Sequence, residues 1–91
     1  MIFLSAADLQ RLGVTTRDVV TSIEHLLMAK TQGRAWIAPK TNIATPDDRY
    51  MMATLAVTDD PPLMAVKALL INPSNPVRGL DVINSSITLM D

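Results

Sequence analysis

Lys67 stands alone as a cation inside an apolar run, Leu63-Met64-Ala65-Val66-Lys67-Ala68-Leu69-Leu70-Ile71. In an extended chain successive side chains alternate, so Lys67 shares a face with Ala65, Leu69 and Ile71. Burying an unpaired ammonium costs several kcal/mol, so such a lysine reaches water along its stem, pairs with a carboxylate, or serves a ligand. In the last case a lysine on a rigid strand can bind a substrate carboxylate or polarise a carbonyl or imine. That chemistry suits amino and keto acids. Lys40, directly after Pro39, is a candidate second cation for the same pocket; its other reading is an ordinary solvated lysine on a strand edge.

Other polar and soft residues have both a chemical and a plain reading. Met51 and Met52 are adjacent, so in a strand they face opposite ways and only one can line a site; core packing is the alternative use of both. Asn72, Asn75, Arg78 and Gly79 make a polar loop able to meet a ligand, although turn formation accounts for its Asn, Pro and Gly content. The pairs Asp47-Asp48 and Asp59-Asp60 sit at turn signals and read as solvated caps rather than an acid and base pair.

Several chemistries are excluded outright. The three glycines, Gly13, Gly33 and Gly79, are too dispersed for a dinucleotide-binding fingerprint, so this chain alone is not expected to hold NAD. There is one histidine, His25, and no cysteine, which removes thiolate metal sites, disulfides and thiol nucleophiles. A net charge of -1 with scattered basic residues gives no cationic stripe for nucleic acid. No segment approaches the roughly 20 apolar residues that cross a bilayer, and Asp8 interrupts the apolar start before any signal-peptide pattern forms. A cytoplasmic protein is expected.

These candidate residues need elements to hold them. Ile2-Phe3-Leu4 suggests a brief strand, Ser5 a cap for a short helix ending at Gly13, and Thr15 or Thr16 a cap for a second helix that ends at Gly33. The apolar stripe of that helix is Val19, Val20, Ile23, Leu26 and Leu27. Beyond Gly33 the texture turns to strands: Trp36 to Ile43, bent at Pro39; Tyr50 to Val57, alternating; Leu63 to Ile71, with the pattern of a strand covered on both faces; and Val82 to Met90, alternating. Residues 1–91 therefore predict one α+β domain, two helices on one face of a mainly antiparallel sheet of four to five strands. Its 48% hydrophobic content is rich for a small monomer, so part of the apolar surface is expected to meet another chain or domain.

The segment Ala65-Val66-Lys67-Ala68-Leu69-Leu70-Ile71-Asn72-Pro73-Ser74-Asn75-Pro76-Val77-Arg78-Gly79-Leu80 resembles one carried by the ornithine cyclodeaminase and mu-crystallin family, a lysine-bearing strand leading to a Pro and Asn loop and then Arg-Gly. Phe3-Leu4-Ser5-Ala6-Ala7-Asp8-Leu9, the helix around Ile23-Glu24, Gly33-Arg34 before Pro39-Lys40, and the closing Ile87-Thr88-Leu89-Met90-Asp91 are similar to that family too. The resemblance implies that residues 1–91 are the amino-terminal substrate-binding and dimerisation domain, with a Rossmann domain for NAD or NADP and a catalytic aspartate to follow Asp91. It implies that Lys67 contacts the substrate carboxylate or reacting centre, that Lys40 stands where the family usually places a carboxylate-binding arginine, and that Met52 lines the pocket. A lysine there exchanges a bidentate fork for a point charge. Ala53 replaces a common proline, and Val82 replaces a small hydroxyl residue whose cofactor contact does not carry over.

The functional expectation is thus part of an NAD(P)-dependent cyclodeaminase, ketimine reductase or amino-acid dehydrogenase, dimeric and acting on a small amino or imino acid. Two alternatives come from other classes: a non-catalytic dimeric module that binds a ligand or partner, and an inactive fragment in which Lys67 is merely solvated.

Overall fold

The structure, a computed structural model, describes residues 1–91. Helix α1 spans Ala6–Arg11 and helix α2 spans Thr16–Thr31. Each begins with a capping box. The Ser5 and Thr15 hydroxyls accept from the backbone N–H groups of Asp8 and Asp18, whose carboxylates accept from the N–H groups of Ser5 and Thr15 in return. Gly33, at φ 72, continues from α2 in the left-handed conformation that glycine adopts without a side-chain clash.

Five strands come next, β1 (Ala35–Ile37), β2 (Thr41–Ala44), β3 (Tyr50–Asp59), β4 (Pro62–Ile71) and β5 (Ile83–Met90). All pairings are antiparallel, in the order β1-β3-β4-β5, with β2 also paired to β3. The fold is therefore α+β, amino-terminal helices followed by an open antiparallel sheet. A short 3-10 helix, Asn75–Arg78, lies between β4 and β5.

Three expectations change. Ile2-Phe3-Leu4 forms no strand, because three apolar residues without a paired neighbour gain none of the cross-strand contacts that stabilise one. The run from Leu63 is not covered on both faces: β4 lies between β3 and β5, but its residues are half-buried or exposed, since no second layer lies over it. The helices do not lie across the sheet either. Helix α2 meets it at β1, and the two buried apolar residues, Ala29 and Ala35, stand at that junction.

The consequence is an unusually open molecule. Only Ala29, Ala35 and Asn75 are buried, and the accessible surface is 7620 Å², whereas a compact chain of this mass exposes about 5,200 Å². The radius of gyration is 16.0 Å against about 12 Å for a compact 91-residue domain. Val19, Val20, Ile23 and Leu27 on α2, and Met51, Leu55, Met64 and Leu70 on the sheet, are each about half exposed. These residues have the pattern of core positions without the layer that would make them one.

Candidate functional site

Strand register decides which side chains share a face, because directly opposed residues of an antiparallel pair point the same way. Lys67 pairs with Thr54 on β3 and with Ile87 on β5. The next row along the same face is Asn42, Met52, Leu69 and Ser85. Lys67 and Met52 therefore lie on one face in adjacent rows.

Lys40 reaches that face through an irregularity. Ile37 pairs with Ala56 and the Ala38 N–H donates to the Leu55 carbonyl at 3.1 Å, yet Thr41 pairs with Ala53. Pro39 and Lys40 together thus stand across from Thr54, two residues against one, which is a β-bulge. Proline suits the extra position because it has no N–H to leave unpaired. Alternation back from Asn42 puts Lys40 on the face of Met52 and Lys67, so Thr54 lies between the two cations. With neighbouring strands about 4.8 Å apart, the two lysine backbones are about 10 Å apart.

Lys67 is exposed, with no ion pair and no side-chain hydrogen bond, and Lys40 is likewise exposed and unpaired. Lys67 therefore carries its ammonium to water with no carboxylate of this chain as partner, so its charge is not buried and is open to a ligand that reaches this face. The face around it is open. Neither of the two main clefts includes Lys40, Met52 or Lys67. One, of about 430 Å³, runs along the start of α2 and is lined by Val14, Asp18, Val19, Ser22, Ile23 and Leu26. The other, of about 350 Å³, is lined by Met51, Ala68, Leu70, Asn84 and Ser86, which face away from the lysines, together with Leu69 and Ser85 of the neighbouring row.

The remaining candidates have structural work. Asn75 is buried, donates to the Asp81 carbonyl at 2.9 Å and accepts from the Arg78 guanidinium at 2.7 Å. Asn72 accepts from the Ser74 N–H at 3.0 Å, and Gly79 ends the 3-10 helix at φ 74. That loop is held by its own bonds. Asp47 is bonded to Thr45 and Arg49, and the Thr45 hydroxyl first, then the guanidinium, hold its carboxyl below the usual range. Asp59 and Asp60 pair with Arg34 at 3.1 and 3.6 Å, so they tie the start of β1 to the β3–β4 turn and are not only solvated caps. No cluster of three or more His, Asp or Glu residues lies close enough to hold a metal ion, and no helix is long and apolar enough to cross a membrane.

Thr54 is the member of the face that sequence reasoning did not single out. It alternates with Met52, but its place between two lysines depends on the bulge at Pro39. Comparisons with protein-family models, with curated proteins and with solved structures return no match.

Proposed function

We propose that this chain is the substrate-binding and dimerisation portion of an NAD(P)-dependent enzyme like the ornithine cyclodeaminase and mu-crystallin family, acting on a small amino or imino acid. The observation that carries the reading is the common face of Lys40, Thr54, Lys67 and Met52. On this reading a substrate carboxylate sits over Thr54, between the two ammonium groups. Met52 and Leu69 offer apolar contact to the rest of a small substrate. Lys67, on the longer and more central strand, is the group nearest the reacting carbon, where its ammonium polarises a carbonyl or imine by donating to its oxygen or nitrogen and stabilises the negative charge that builds up on a carbonyl oxygen. NAD or NADP belongs to a further domain.

The open face sets the affinity. A carboxylate about 4 Å from an ammonium gains about 1 kcal/mol in water and about 4 kcal/mol where the surroundings exclude water. Two such contacts on an exposed sheet correspond to binding at roughly tens of millimolar. A covering layer is what turns this face into a tight site. The alternative, a non-catalytic dimeric module or an inactive fragment, is favoured by the same openness, since the apolar surface exceeds what a substrate needs.

The test is an NMR titration of the chain with L-proline and L-ornithine. Saturable shifts confined to β3, β4 and the Pro39-Lys40 bulge are expected, and Lys67→Met abolishes them while leaving the fold intact. Shifts that persist in Lys67→Met, or their absence in the parent chain, contradict the reading.

A further inference from the structure

Lys40 and Lys67 share a sheet face with nothing of opposite charge. In their row and in the rows on either side the face carries no Asp or Glu, and its polar side chains besides the lysines are Asn42, Thr54 and Ser85. Asp59 and Asp60 are committed to Arg34, and Asp47 to Arg49. Protection of a sheet edge accounts for neither lysine. Lys67 is on β4, an interior strand between β3 and β5. Lys40 is on an edge, but a lysine discourages pairing from either face, whereas here an extra residue selects the face. Continued without the bulge, the register that sets Ile37 opposite Ala56 would set Lys40 opposite Ala53, on the other face; the observed partner of Ala53 is Thr41. Bulges re-aim side chains in this way and are concentrated beside functional sites.

Spacing decides what the pair can hold. The lysine backbones are two strand spacings apart, and side chains standing off the sheet keep their ammonium groups about 10 Å apart. One carboxylate accepting from both, with bonds of about 2.8 Å, spans at most about 8 Å, so both stems must lean inward and bring like charges together. A five-carbon diacid, with about 5 Å between its carboxyl carbons, spans up to about 12 Å. Both stems then stand upright, and each ammonium has a carboxylate of its own.

We propose that the ligand this face selects is a five-carbon dicarboxylic acid with an oxo or imino carbon, one carboxylate lying at Lys67 beside that carbon and the other at Lys40. This rests on the proposed carboxylate site and names its substrate class. The oxo or imino form follows from the same charges. An α-ammonium group beside Lys67 finds no carboxylate on the face and is repelled by the lysine. Thr54, Asn42 and Ser85 are neutral, and suit an uncharged oxygen or nitrogen.

The test is NMR titration of the chain, at constant ionic strength, with glutarate, its monoamide glutaramate, 2-oxoglutarate and L-glutamate. A second ammonium–carboxylate contact in water strengthens binding about fivefold, and the two equivalent ends of glutarate give a further factor of about two, so glutarate is expected to bind about tenfold more tightly than glutaramate. In Lys40→Met only the factor of about two is expected to remain. In both proteins 2-oxoglutarate is expected to bind about fivefold more tightly than L-glutamate, since the ammonium of the latter meets Lys67. A parent-chain ratio of glutarate to glutaramate affinity no greater than the statistical factor, a ratio unchanged in Lys40→Met, or equal binding of L-glutamate and 2-oxoglutarate would overturn the proposal. The parent-chain comparisons decide the matter even if Lys40→Met fails to fold. Saturable glutaramate binding at Lys67 with only the statistical ratio leaves the carboxylate site standing and removes its substrate class, whereas no response of Lys67 to any of the four acids removes the site as well.

Discussion

Asn75 is the one buried polar residue, 5% exposed, and its substitution offers a sharp test of what holds the β4–β5 connection. Asn75→Ala removes the bond to the Asp81 carbonyl and the bond from the Arg78 guanidinium. The first is a neutral bond contributing about 1 kcal/mol, and a charged one contributes about 1.5–3 kcal/mol when shielded. Two features reduce the sum: Arg78 is exposed and regains water, and the Asp81 carbonyl keeps the Asn84 amide as a donor at 3.0 Å. The expected loss is about 2 kcal/mol, lowering Tm by roughly 10 °C in a domain of this size. Asn84→Ala removes only the outer bond to the same carbonyl and is expected to cost about 0.5 kcal/mol. Urea denaturation monitored by circular dichroism distinguishes them. Equal losses for the two variants would refute the assignment of Asn75 as the residue that organises this loop.

The capping boxes make helix stability depend on acid. Backbone N–H donation from Ser5 and Thr15, with their hydroxyls, holds the carboxyls of Asp8 and Asp18 below the usual range; a lowered folded value means the stabilisation is complete above about pH 4 and is lost as pH falls through that value. Helical ellipticity is therefore expected to drop in that window, and Asp18→Asn to flatten the part due to α2. Gly33→Ala meets no atom within 4 Å but places a side chain at φ 72, so the expected loss is about 1–2 kcal/mol, arising from the backbone alone and measurable by thermal melts.

The helices were legible because each is signed at both ends: Ser5 and Thr15 are caps, each with an aspartate three residues on, and Gly13 and Gly33 close them. The long strands were legible from alternation between Tyr50 and Val57 and between Val82 and Met90, the second observed one residue shorter at its start. Pairing was not. Pro39 announces a break in a strand, but that β1 and β2 both pair with β3, one residue out of step, depends on partners far along the chain. For the same reason Lys40 and Lys67 were individually visible as candidates, while Thr54 between them was not. The apolar run around Lys67 suggested a covered strand, and here composition misled, since a sequence records what a strand is suited to face rather than what lies over it. Ile2-Phe3-Leu4 misled in the same way.

The chain contains three lysines, Lys30, Lys40 and Lys67, and Lys30 lies on α2, away from the two-cation face. Reductive methylation with a carbon-13 label preserves their charge and gives each a separate NMR signal, assignable by substitution. On addition of L-proline the signals of Lys40 and Lys67 are expected to move together along one saturation curve while that of Lys30 stays fixed, and pyrrolidine, which lacks the carboxylate, is expected to move none of them. Uniform movement of all three, or the same response to pyrrolidine, would contradict a carboxylate site built from Lys40 and Lys67.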